Sequence, residues 1–149
     1  MRTRIDKLDM KLIHVLAVNS RMNCKELAEK VGISRQSAAK RLKKLKKMNI
    51  ILRYTIIPDF DKLEYIYASL GITLEPGAPI DRIVQKLKKD RDVKAIERGI
   101  GSHNLIVRIA VSKKMEEVEK KINVIIEKIG HVQRYDTTII TKIEKFETL

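Results

Sequence analysis

Residues 23–48 read NCKELAEKVGISRQSAAKRLKKLKKM, and their spacing predicts two helices joined by a tight turn. Asn23 stands as an N-cap with Glu26 three residues on in capping-box position, and Leu27, Ala28 and Val31 form a buried stripe. Gly32 ends this helix and Gly32-Ile33 makes the turn. Ser34 then offers its hydroxyl as the next N-cap, and Ala38, Leu42, Leu45 and Met48 recur at helical spacing. Asn49 falls at the C′ position, which helices usually give to glycine because it is left-handed. Two short helices so joined are a helix-turn-helix arrangement.

The second of these helices carries seven cations between Arg35 and Lys47 (Arg35, Lys40, Arg41, Lys43, Lys44, Lys46, Lys47) and no acid. At 100° per residue, with the apolar stripe turned inward, Gln36, Lys40, Lys43 and Lys47 point outward, flanked by Arg35, Ala39 and Lys44. That is the layout of a recognition helix. Arg35 suits a bidentate contact to guanine, Gln36 a pairing with adenine, and small Ala39 a close approach or a thymine methyl. Lysines farther along suit phosphates, which position a protein without reading sequence. Ser34, Ser37 and Arg41 complete the set expected at DNA.

Upstream, residues 5–18 place Ile5, Leu8, Leu12, Val15 and Leu16 on one face of a first helix, with Asp6 and Asp9 at its electropositive start. Downstream, Ile50 to Ile57 is rich in β-branched residues and stops at Pro58, which predicts a strand and then a connector. The boundaries expected are a DNA-binding domain over 1–57, a connector over 58–66 and a second domain over 67–149.

The second domain has another rhythm. Tyr67 to Leu74 reads as a strand, and Ile80, Ile83, Val84 and Leu87 as a helix. Val93 to Ile100 and Leu105 to Val111 read as strands joined by the loop Gly101-Ser102-His103-Asn104. Ser112 is expected to cap a long helix with Met115, Val118, Ile122, Ile125 and Ile129 inward, before a last strand from Val132 to Ile143. The order β-α-β-β-α-β is the ferredoxin-like pattern, giving an α+β chain with helices on one face of a sheet. The other face is expected to be apolar and to meet a second copy.

Composition narrows the function classes. The net charge is +13, and residues 1–60 carry 15 Lys and Arg against 5 Asp and Glu, while residues 61–149 carry 17 against 14. The front half therefore faces a polyanion. The single cysteine, Cys24, allows no internal disulfide, and a reducing cytoplasm fits. No apolar stretch predicts a membrane span or signal peptide. His14 and His131 have no ligand cluster at metal spacing, and Gly99-Ile100-Gly101 lacks the rest of a dinucleotide fingerprint, so no metal or cofactor is expected. No nucleophile, base and orienter set supports an enzyme. An RNA-recognition motif shares the strand order, but its sheet aromatics and signature are missing. A chromatin-architectural protein with little sequence specificity is the rival that shares the charge.

These motifs resemble the leucine-responsive regulatory protein (Lrp/AsnC) family over nearly the whole chain. The resemblance rests on Leu8-Asp9, Asn19-Ser20-Arg21, Glu26-Leu27-Ala28, Val31-Gly32-Ile33-Ser34, Arg41-Leu42 with Leu45, Ile50-Ile51 and Tyr54. In the rear half it rests on Gly101, Leu105 to Val111 and Val132 to Thr138. It implies a transcription regulator that dimerises through its ferredoxin-like sheets, often into tetramers or octamers. It also implies an amino-acid-like effector held between subunits near Gly101, Ser102, His103, Asn104, Thr137 and Thr138. Two positions depart from the family pattern. Asn49 replaces a common glycine, and Asn104 replaces the aspartate of a Gly-x-x-Asp loop, which predicts weaker or altered effector binding.

Overall fold

The computed structural model describes residues 5–60 and 62–146, which form two units: the first takes in the described residues up to Ile57 together with Lys145 and Phe146, and the second those from Pro58 to Glu144. In the first unit, α1 spans Lys7–Val18, α2 Cys24–Val31 and α3 Arg35–Lys47. Each begins with a side-chain cap that takes up otherwise unpaired amides. The Asp6 carboxylate accepts from the Asp9 N–H at 2.8 Å, the Asn23 side chain from the Lys25 and Glu26 amides, and the Ser34 hydroxyl from the Ser37 N–H at 3.1 Å. Gly32, at φ +76°, turns the chain between α2 and α3. Asn49 adopts φ +54° after α3, and the Ile50 N–H then closes back on the Leu45 carbonyl, so asparagine does here what glycine commonly does. Leu12, Leu16, Leu27 and Val31 make the small core, with Leu8, Val15, Ile33, Leu42 and Ile51 packed against it.

The strand expected over Ile50 to Ile57 does not form. The segment is irregular, and Leu52 and Ile56 are 83% and 80% exposed. β-propensity describes a fit to a pleated, half-buried surface, and among the described residues no strand lies beside this run to supply one. Its anchor is different: the Lys46 ammonium stands 4.7 Å from the centre of the Tyr54 ring.

The second unit has β1 Tyr65–Leu74, α4 Ile80–Leu87, β2 Val93–Arg98, β3 Leu105–Ser112, α5 Met115–Ile129 and β4 Val132–Ile140. The sheet order is β2-β3-β1-β4 with antiparallel neighbours, the ferredoxin-like arrangement. Strand alternation sends Ala68, Leu70, Ile72 and Leu74 of β1 and Leu105, Val107, Ile109 and Val111 of β3 to one face. There they meet Ile83, Val84 and Leu87 of α4 and Val118, Ile122, Ile125 and Ile129 of α5. Asp90, nearly buried after α4, ties α5 down through Lys121 at 2.6 Å and Lys128 at 2.8 Å.

Several sequence expectations shift here. β1 starts at Tyr65, inside the expected connector, after Glu64 turns the chain at φ +57°. β2 stops at Arg98, and β4 stops at Ile140 because its ladder with β1 ends at the Tyr67–Ile140 pair. Ser112 closes β3 instead of capping α5; its hydroxyl bonds the Glu117 carboxylate, and the cap position belongs to Lys114. Met115, expected inward, is the first residue of α5 and is 55% exposed. The sheet face away from the helices is not uniformly apolar. Ser69, Gly71, Thr73, Arg108, Asp136 and Thr138 alternate onto it beside Tyr67, Ile106 and Ala110. Phe60 stacks on Tyr67, with ring centres 4.7 Å apart.

Candidate DNA interface and effector loop

Helix α3 buries Ala38 and Leu45, which fixes the rest of its circumference by rotation. Arg35, Gln36, Ala39, Lys40, Lys43 and Lys47 are exposed, as is Ser34, whose hydroxyl is committed to the cap. Ser37 is half-buried, and its amide receives that cap. Arg41 and Lys44 behave differently from the other cations. Arg41 Nη1 lies 2.7 Å from both Asp6 Oδ2 and Asp9 Oδ1, and Lys44 Nζ lies 2.7 Å from Asp9 Oδ2. Asp9 is fully buried. The recognition face is thus narrower than the count of positive residues suggests.

These pairs move the titration of the groups involved. The Asp9 N–H, and then Arg41, hold the Asp6 carboxyl below the usual carboxylate range. Burial works against ionised Asp9, but hydrogen bonds from Lys44, Arg41 and the Asp6 N–H outweigh it, and its pKa falls as well. Hydrogen bonds to Asp6 and Asp9 raise Arg41. From sequence, both aspartates fit the electropositive start of α1; their partners lie 32 to 35 residues away, beyond any local pattern.

The loop between β2 and β3 is anchored by its own polar groups. Gly101 has φ +136°, a conformation that disfavours any side chain. The Thr73 hydroxyl donates to the Ser102 carbonyl at 2.8 Å. His103 Nε2 lies 3.0 Å from Asp136 Oδ2 on β4, and its Nδ1 is 3.4 Å from Thr73 Oγ1. The Asn104 side-chain oxygen accepts from the Leu74 N–H at 2.7 Å, and its backbone N–H donates to the Ile72 carbonyl. The Leu74 amide is at the register irregularity between β1 and β4, and Asn104 satisfies it.

Thr138 and Asp136 share the open face of β4, since Thr138 pairs with Ser69 and Asp136 with Gly71. Thr137 pairs with Leu70 and points to the helix side. Within one chain, therefore, Thr137 and Thr138 do not face the same space. Residues absent from the sequence reading of this region are Gly71, Thr73 and Asp136. Asp136 was visible as the position two before Thr138 on an alternating strand.

Residues 5–46 match the AsnC-type helix-turn-helix domain. An uncharacterised HTH-type transcriptional regulator of Pyrococcus abyssi is 39% identical over 146 residues, covering 98% of this chain and 99% of the relative. The chain belongs to the Lrp/AsnC family. It is a DNA-binding transcription regulator of that family, as the helix-turn-helix match and this relative indicate. An Lrp/AsnC-like fold is also seen in the crystal structure of PH0061, from Pyrococcus horikoshii, at 35% identity and TM-score 0.92 over 99% of each chain. Escherichia coli AsnC, at 22% identity and TM-score 0.78 over 99% of each chain, has the same fold. So does a transcriptional regulator of Neisseria meningitidis solved as an L-Met complex, at 20% identity and TM-score 0.81, covering 97% of this chain and 95% of that one.

Proposed function

We propose that this Lrp/AsnC regulator reads inverted-repeat operators as a dimer or higher even-numbered assembly, with α3 of each copy in a major groove. The observation that carries the reading is the face of α3 on which Arg35, Gln36, Ala39, Lys40, Lys43 and Lys47 are all exposed while Ala38 and Leu45 are buried. Side chains able to read base edges lie toward its N-terminus, and lysines suited to phosphates follow. Ser34 and Ser37 sit at the helix start, where the Ser34 hydroxyl takes up the Ser37 N–H and fixes the end of α3 that carries Arg35 and Gln36. Two such helices related by a two-fold axis meet successive grooves about 34 Å apart, which requires inverted half-sites. The half-buried Tyr67 and Ile106 on the open sheet face, and the exposed Leu52 and Ile56, are apolar surface for a second copy.

The loop Gly101 to Asn104, with Thr138, is the region where an amino-acid-like effector acts in this reading. The Neisseria regulator crystallised with L-Met supports an amino acid as the ligand class. In vitro selection of bound duplexes from a random pool tests the whole proposal. An enriched palindrome with half-sites one helical turn apart is expected. Binding without enrichment would instead point to a chromatin-architectural role.

A further inference from the structure

We propose that Asp9, with no side-chain atom at the exposed face of α3, is a positioning residue for sequence reading. Together with Asp6 it locks the rotation of α3 through Arg41 and Lys44. The inference rests on the proposal that α3 reads DNA. It also removes Arg41 and Lys44 from the set of DNA contacts expected from sequence.

The geometry is a two-point clamp. Asp6 and Asp9 stand three residues apart at the start of α1, and Arg41 and Lys44 stand three apart on α3. The two carboxylates are themselves fixed, since each accepts the other's backbone N–H in the capping box, at 2.8 and 3.3 Å. Arg41 Nη1 bridges both aspartates, and Lys44 takes the remaining oxygen of Asp9. Two acids meet two cations, so the cluster is neutral. With Asp9 fully buried, breaking a pair would strand a charge away from water.

A clamp of this kind adds to a small apolar hold on α3, in which Leu42 packs against the core without being fully buried. Its only fully buried side chains among the described residues are Ala38 and Leu45. A helix about 10–12 Å across that turns by roughly 30° moves its side-chain tips by about 3 Å, the length of a hydrogen bond. Base-edge contacts by Arg35 and Gln36 would not survive that movement. Phosphate contacts by long lysines would, because a point charge on a flexible stem tolerates it. The clamp therefore bears on specificity more than on affinity.

The test measures binding of the full chain to its selected operator and to random duplex across a salt series, for Asp9→Asn, Arg41→Ala and the double variant. Each single change is expected to lower the operator-to-random ratio about tenfold, the scale of one base contact, while the salt slope on random duplex stays unchanged. The double variant is expected to be no worse than the worse single one. A fall of about 0.9 in that slope for Arg41→Ala would make Arg41 a phosphate contact and overturn the clamp, as would an unchanged ratio in Asp9→Asn. Should Asp9→Asn not fold, Asp6→Asn keeps the cap and removes one partner of Arg41; a smaller fall in the ratio is expected, and none overturns the proposal. A natural chain without sequence preference would sink the regulator reading alone. The clamp is then decided by thermal unfolding of Asp6→Asn, Arg41→Ala and their combination: coupled losses support it, and additive losses overturn it.

Discussion

The imidazole of His103 lies where a side chain on Gly71 would have to be: a Cβ built at Gly71 would stand 2.7 Å from His103 Cδ2 and Nε2. Glycine at the centre of β1 thus serves the loop, letting His103 settle on the open sheet face and reach Asp136. Gly71→Ala should displace the ring, at a cost of about 1–3 kcal/mol for overpacking. Adding His103→Ala should return most of that loss, because the clash is then gone. Urea unfolding of the two single variants and the double one checks this, and simple additivity would show that the ring does not occupy that space in solution.

Asn104 replaces the aspartate of the family's loop, yet its amide oxygen holds the Leu74 N–H at 2.7 Å, a bond that a carboxylate can also accept. Asn104→Asp should therefore leave the loop intact and add a negative charge beside it. If an amino acid binds here through its ammonium group, the aspartate variant should bind it more tightly. A thermal-shift series with the standard amino acids reads this out, since a ligand at 100 times its dissociation constant stabilises by about 2.7 kcal/mol. Strong stabilisation of the natural chain with no gain in the variant would remove Asn104 from the anchoring role.

Local chemistry was legible where it acted alone. The caps at Asn23 and Ser34, the turn at Gly32 and the left-handed Asn49 follow from residue type and spacing, and each is found in the structure. The alternation that builds the ferredoxin-like sheet was equally clear. What failed depended on partners far along the chain. Ile50 to Ile57 has strand chemistry but, among the described residues, no strand beside it, and Ser112 was spent on the end of β3 before it could cap α5. Arg41 and Lys44 looked like their neighbours until folding brought Asp6 and Asp9 to them. The period of two along β4 already separated Thr137 from Thr138 and pointed to Asp136.

Acid should loosen the second unit through Asp90. Burial opposes its ionisation, but Lys121, Lys128 and the Asp92 N–H hold its carboxyl at about 2, below the ordinary 3.8. A depressed carboxyl contributes stability that is present above the unfolded value and lost as pH falls through the folded one. The window is therefore about pH 4 down to pH 2, and the stake is on the order of 2 kcal/mol. Asp90→Asn should lower stability at pH 7 and flatten its dependence on pH in that window. Denaturant midpoints between pH 2 and 7 provide the check, and an undiminished acid slope in the variant would assign the effect to other carboxylates.

The exposed face of α3 should divide into readers and holders. Arg35→Ala and Gln36→Ala remove side chains placed for base edges, so each should cost about 1–3 kcal/mol on the selected operator and relax the preferred sequence. Lys43→Ala and Lys47→Ala remove exposed charges suited to phosphates. Each should weaken all duplexes alike and reduce the salt slope by about 0.9 per lost contact. The two classes separate only when affinity is followed across salt on both operator and random DNA, because a single measurement confuses lost reading with lost attraction. If Arg35→Ala and Gln36→Ala both left the selected consensus unchanged, base reading would have to come from another element, and α3 would be left as a phosphate anchor.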